Sequence, residues 1–269
     1  PCSLSKMLIC GSASMSRSSV IRSPGNGCAV IPAIRVTSGP INWRTGRVFK
    51  SHHVPGWNGF PLGKWLASEF RVPVKADNDA NVAALAEARL GIGRGQDPVF
   101  YMTVGSGIGG GIVRGGEIYH GAHPGEVEIG HTRIPMDGKP PRDWPILETL
   151  CSGWSLDARI RRVAKEHPDS LLAKRIKLHG RGGEARFLWE AKRGGDPHAA
   201  RIWEDLGRYL GLALSYVIQL FHPQILVLGG GVSQLGKPLI AEIRRNLDLF
   251  VMAAHQRTYE ITLAQLGER

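Results

Sequence analysis

The sequence predicts an α/β fold, and three observations carry that prediction. A long amphipathic segment, residues 198–221, is followed by the fully apolar run Ile225-Leu226-Val227-Leu228, which ends in Gly229-Gly230-Gly231. A second apolar run, residues 99–104, leads into another glycine-rich turn. Short strand-like runs alternate along the chain with longer stretches of helical period, as expected where helices cover a sheet.

Taken in order, residues 1–37 are rich in Ser and basic residues, poor in acidic ones and without a hydrophobic period. They are expected to be disordered or a non-native start, outside the fold. Order is expected from Ser38, with a turn at Arg44-Thr45-Gly46, a β-like run at Arg47-Val48-Phe49 and a Pro- and Gly-marked loop at residues 54–59. Leu62, Trp65, Leu66 and Phe70 fall on one face of a helix over residues 61–70. Residues 71–76 read as a short strand that delivers Asp77-Asn78-Asp79 to its end. A helix over 82–90 follows, capped by Asn81 or Asp79 and closed at Gly91. The 99–104 strand returns through 111–113, a hairpin whose tip can approach a ligand closely. Residues 146–164 are expected to be helical with a break near Ser152-Gly153, and the 198–221 helix stops at His222-Pro223. A helix over 238–250 and a strand over 260–266 complete the pattern.

Composition narrows the function. Apolar content of 42% and charged content of 21% are those of a globular domain, and no run approaches the roughly 18 apolar residues of a membrane helix. The net charge of +11 does not point to nucleic acid, because eight of the cations precede Glu69, the first acidic residue, and the remainder is nearly balanced. The four cysteines, Cys2, Cys10, Cys28 and Cys151, form no C-x-x-C pair, which disfavours a disulfide scaffold and a thiolate zinc site and leaves a reducing, cytoplasmic setting as the expectation.

Three segments bear chemistry. In Asp77-Asn78-Asp79-Ala80-Asn81, Asp79 can take a proton from an attacking hydroxyl and Asn78 can orient that hydroxyl, or the cluster simply caps a helix. Gly105-Ser106-Gly107-Ile108-Gly109-Gly110-Gly111 offers unobstructed backbone N–H groups, as anion-binding loops do, or is only a tight turn. Glu128 and His131 stand three apart near Glu126 and His123 and can bind metal, pair with each other, or hydrogen-bond to adjacent sugar hydroxyls; Glu148 joins them only if the fold brings it back.

In this order the segments resemble the ROK family of sugar kinases and repressors, over roughly residues 38–269. Its E-N-D-A-N motif appears as Asp77 to Asn81, its G-T-G-I-G-G-G as the loop with Ser106 for Thr, and its Glu-x-x-His segment as Glu128-Ile129-Gly130-His131. The resemblance implies an actin-like ATPase (ribonuclease H-like) fold with two lobes: 38–82 a remnant of an incomplete small lobe, 83–269 the large lobe. It implies an ATP-dependent hexose kinase of glucokinase type, or a non-catalytic sugar-binding regulator of the same family, or an inactive truncated relative. Asp79 would be the general base; Asn78, Glu128, His131 and Glu148 would hold the sugar; Gly105, Ser106, Gly107 and Gly109 would meet the ATP phosphates, and Gly229, Gly230 and Gly231 the nucleotide. Mg²⁺ would accompany ATP, and the partners would be a small hexose, ATP and a second copy of the chain, with neither nucleic acid nor membrane. The family's three zinc cysteines fall at Lys139, Pro141 and Ile146, so zinc is expected to be absent and the 132–145 loop to be held by packing. The family's D-x-G-G-T phosphate loop has no match in residues 1–37, and relatives continue past Arg269, so the chain is expected to be trimmed at both ends.

Overall fold

The structure, a computed structural model, describes residues 41–49, 56–71, 74–179 and 181–267. The expectations for residues 1–37 lie outside them. Strands β1 (Ile41–Asn42) and β2 (Arg47–Val48) form a small antiparallel hairpin, with Ile41 opposite Val48. Helix α1 (Leu62–Phe70) lays Leu62 and Leu66 against Ile41 and Val48, and Trp57, Phe60 and Val74 complete this separate apolar cluster. Arg71 ends α1 in the left-handed conformation. The strand expected over 71–76 is not found in its described part, Arg71 and Val74 to Ala76, where no strand among the described residues supplies a ladder.

Helix α2 (Asp79–Leu90) starts three residues before the expected position, because Asn78, not Asn81 or Asp79, is its cap. The Asn78 side chain accepts from the N–H groups of Ala80 at 2.9 Å and Asn81 at 3.4 Å, and Asn81 is buried inside the helix. Strands β3 (Val99–Val104) and β4 (Ile108–Arg114) follow. The return strand begins at Ile108 rather than at residue 111, so Gly109, Gly110 and Gly111 pair with Thr103, Met102 and Tyr101, and the turn itself is only residues 105–107. Beyond it lies β5 (Glu117–Ile118), which two residues of sequence do not announce.

Helices α3 (Leu147–Cys151) and α4 (Gly153–Glu166) flank the expected break, where Ser152 caps α4. Two short helices, α5 (Leu171–Lys177) and α6 (Leu188–Arg193), lie in a highly charged stretch where no apolar stripe marks them. Helix α7 (Pro197–Phe221) opens with Asp196 accepting from the N–H groups of His198 at 2.9 Å and Ala199 at 3.1 Å, with Pro197 preset at its first position. Strand β6 (Ile225–Gly229), helix α8 (Lys237–Phe250) and strand β7 (Glu260–Leu263) finish the chain.

The main sheet has the order β5-β4-β3-β6-β7, with β3, β6 and β7 parallel and β4 and β5 antiparallel. Strand alternation divides its side chains between two layers. Phe100, Met102, Val104, Leu226 and Leu228 join the larger core with Leu206, Leu210 and Leu214 of α7, whereas Val99, Tyr101, Ile225 and Val227 meet Ala84 of α2 on the other face. Each fully buried Leu contributes about 1.5–3 kcal/mol, so the α7 stripe anchors the sheet that carries the glycine segments. Among the described residues no helix is long and apolar enough to cross a membrane.

Candidate active site

Parallel pairing puts the two glycine segments side by side. Thr103 of β3 stands opposite Gly229 of β6, so both strands end at the same edge of the sheet and release residues 105–107 and 229–231 together. Open α/β sheets bind ligands at that carboxyl edge. The first turn is held by the Gly105 N–H donating to the Gly107 carbonyl at 2.9 Å and by the Gly153 N–H donating to the Gly105 carbonyl at 2.6 Å. In the second, Gly230 takes φ of 85° with its Cα against the Val104 backbone, and Gly231 opens a 3₁₀ turn, Gly231–Leu235, on its open side. Gly109 is a strand residue beside Ala80, not part of the turn.

The acceptor side is built against this edge. Helix α2 seats directly on β4 because Gly111 leaves no Cβ to strike the Ala80 carbonyl, 2.8 Å from where one would be. That seating sets Ala80 beside Gly109, and the exposed Asp79 that precedes it lies within electrostatic reach of Glu128. Glu128 precedes a 3₁₀ turn, Ile129–His131, whose last residue is His131, and His131 Nδ1 lies 3.4 Å from Glu128 Oε2. Glu148, the second residue of α3, does come back: its Oε2 accepts from the Ile108 N–H at 2.8 Å and lies against Gly107. Partial burial pushes the Glu128 carboxyl above its ordinary range, His131 pulls it down, and the Glu148 and Asp79 carboxylates push it up again. Three carboxylates from separate parts of the chain thus share one electrostatic neighbourhood with a histidine, beside a glycine turn.

The loop between His131 and Glu148 is tied by hydrogen bonds as well as packing. Ile134 is buried and its N–H donates to the Pro145 carbonyl at 2.9 Å, the Leu147 N–H donates to the Thr132 carbonyl at 2.9 Å, and Arg133 Nη1 donates to the Trp144 carbonyl at 2.6 Å. These ties fix where Glu148 leaves the loop.

A family model described as the ROK family matches residues 27–269. The chain belongs to the ROK family. Among similar proteins, it is 34% identical over 232 residues to a glucokinase of Halalkalibacterium halodurans, covering 85% of this chain and 70% of that one. It is 32% identical over 240 residues to a glucokinase of Thermotoga maritima, covering 86% and 73%. Among solved structures, a ROK family glucokinase from Streptomyces griseus in complex with glucose and AMPPNP matches with a TM-score of 0.72 at 29% identity, over 89% of this chain and 81% of that one. A ROK family transcriptional regulator also matches, with a TM-score of 0.72 at 26% identity, over 86% and 59%. The mixed α/β chain has the actin-like ATPase fold of its ROK glucokinase neighbours.

Two features of this ROK site were not legible in its motifs. Val127, just before Glu128, has φ of 59°, a left-handed conformation that strains a β-branched side chain. Asp77, His120 and Glu126 form a compact polar cluster next to the Asn78-Asp79 segment; the sequence placed Asp77 in the first motif and Glu126 beside Glu128 but gave His120 no role.

Proposed function

We infer that this chain is an ATP-dependent hexose kinase of glucokinase type. One observation carries the reading: Asp79, Glu128, His131 and Glu148, distant in sequence, share one electrostatic neighbourhood, and Glu148 lies against the glycine turn that ends β3. Its glucokinase relatives at 32–34% identity support the same reading. The sugar lies against Asn78, Glu128, His131 and Glu148, whose amide, carboxylate and imidazole groups match the donors and acceptors of adjacent hydroxyls. Asp79 takes the proton as a sugar oxygen attacks the γ-phosphorus. Alignment and charge neutralisation do most of the work in such a transfer, so the glycine edge matters as much as the base. Residues 105–107, with Gly109 behind them, face the phosphates, and Gly229 to Gly231 lie against the nucleotide; Mg²⁺ enters as the metal of the Mg-ATP co-substrate. Residues 38–82 supply part of the small lobe and 83–269 the large one. The positions where the family's zinc cysteines fall are Lys139, Pro141 and Ile146, none of which offers a thiolate, so the residues present do not fit a structural zinc.

The second reading is a sugar-binding regulator without catalysis, favoured by the structural match to a ROK transcriptional regulator. A panel of hexoses with Mg-ATP, followed by coupled detection of ADP and by calorimetric sugar binding, separates them. ADP released in step with one hexose is the expected result; hexose binding with no ADP above the sugar-free rate would overturn the kinase reading and leave the regulator.

A further inference from the structure

His120 joins parts of the site that are far apart in sequence. Its Nδ1 lies 2.9 Å from Glu126 Oε1 and its Nε2 3.2 Å from Asp77 Oδ2, with the His120 and Asp77 side chains only 15% exposed. Asn81 closes the ring, its Nδ2 donating to Asp77 Oδ1 at 3.0 Å and to Glu126 Oε1 at 2.9 Å. The Trp43 ring, from the turn between β1 and β2, stacks on the imidazole with centroids 4.3 Å apart and planes 10° from parallel. Both carboxylates lead directly into the acceptor site. Asp77 Oδ1 also accepts from the Asn78 N–H at 2.8 Å, fixing the residue that caps α2, and Glu126 is two residues before Glu128 across the strained Val127.

Without the imidazole, two half-buried carboxylates would face each other across one amide. Burial and the charge of Glu126 disfavour ionised Asp77, and Asn81, the Asn78 N–H and His120 oppose that. We propose that His120 is a positioning residue for sugar phosphorylation: it latches the 77–79 segment to the 126–128 segment and docks the β1–β2 turn onto both through Trp43. The proposal rests on the kinase reading for its effect on turnover, but not for its effect on structure. The ligand atoms of Asp77, His120 and Glu126 lie within 4.8 Å of one another, so a divalent cation is the competing occupant. Against it, both ring nitrogens already meet carboxylate oxygens directly, so an ion would have to displace one of these contacts.

The test compares His120→Ala, His120→Gln and the double variant Asp77→Asn/His120→Ala with the wild-type chain, by hydrogen exchange and by kinetics. Removing the latch should speed exchange at the amides of residues 78–82 while leaving the buried middle of α7 unchanged. In kinetics it should lower kcat/KM for the hexose by about tenfold or more, since misplacement on the scale of 1 Å costs up to a hundredfold, with the ATP KM held within about twofold. His120→Gln, which keeps one donor, should recover part of the loss, and the double variant should be no worse than His120→Ala because both act on the same contact. Unchanged exchange at residues 78–82, an ATP KM that rises in step with the hexose KM, or an additive double variant would overturn the latch. So would a rise in melting temperature on adding Zn²⁺ or Mn²⁺ that His120→Ala abolishes. If the wild-type chain turns over no hexose while His120→Ala still loosens residues 78–82, the latch stands and the kinase reading fails.

Discussion

Gly130 lies in the Glu-x-x-His turn with its Cα pressed against the start of β4. A Cβ added there would stand 2.2 Å from the Ile108 carbonyl oxygen and 3.1 Å from its carbon, both main-chain atoms that no rotamer change can move. Relieving that contact to an ordinary carbon–oxygen separation of about 3.3 Å needs a shift of about 1 Å between the Ile129–His131 turn and β4. The shift is shared by functional groups on both sides: Glu128 and His131 ride on the turn, and the Ile108 N–H holds Glu148 at 2.8 Å. Gly130→Ala should therefore cost about 1–3 kcal/mol as an overpacked site, a fall of roughly 2–10 °C in melting temperature for a chain of this size. It should also cost up to about a hundredfold in kcat/KM for the hexose, the usual penalty for displacing reacting groups by about 1 Å. Thermal unfolding and a coupled ADP assay read both quantities. A variant that melts within about 1 °C of wild type and keeps kcat/KM within about threefold would refute the argument that Gly130 sets the spacing of the acceptor residues.

Other perturbations separate structure from function in the same way. At Gly230 a Cβ would meet the Val104 backbone at 2.6 Å with φ at 85°, whereas at Gly231 it would meet nothing within 4 Å. Gly230→Ala should thus lower the melting temperature by an amount reflecting about 1–3 kcal/mol, while Gly231→Ala should melt like wild type yet raise the ATP KM, a result that places the nucleotide on that open side; an unchanged KM would remove Gly231 from the nucleotide site. Glu128→Gln tests electrostatics: its carboxyl is held above its ordinary range, chiefly by burial, so the ionised form is disfavoured in the fold. Glutamate at this position gives its full stability below the unfolded value of about 4.3 and loses it as pH rises through the raised folded value. The variant should therefore gain melting temperature relative to wild type at pH 8, match it near pH 4, and bind hexose more weakly at both; a loss of stability at pH 8 would mean that the His131 pairing outweighs burial.

Much of the fold was legible because it rests on periodicities that tertiary context leaves alone. The 198–221 stripe became α7 (Pro197–Phe221), and the 225–228 run became β6 with every residue buried. The helix break at Ser152 was legible from a small capping residue followed by glycine. Boundaries set by single hydrogen bonds were not: α2 begins where Asn78 spends its side chain on the Ala80 and Asn81 amides, and three Asx residues in a row gave no means of choosing among them. The glycine turn read as longer than it is, because glycines needed for packing α2 on β4 look in sequence like those that open a loop. Of the candidate site, the residues in contiguous motifs stood out in the sequence as candidates, whereas His120 did not, since its partners are 43 residues upstream and six downstream. Glu148 was the intermediate case, a motif position whose value depended on a loop returning to β4.

Asp79 as the base can be tested without disturbing the helix start. Asn78 rather than Asp79 caps α2, so Asp79→Asn leaves the cap in place and removes one carboxylate from the first helical turn, worth about 0.3–1 kcal/mol in stability. Measuring kcat by ADP release and hexose affinity by calorimetry on the same preparation distinguishes chemistry from binding. Loss of a general base should lower kcat by about 10²-fold or more, to the limit of detection, while hexose affinity stays within a few-fold of wild type. A near-normal kcat in Asp79→Asn would contradict a general-base role and leave Asp79 an ordinary helix-start residue.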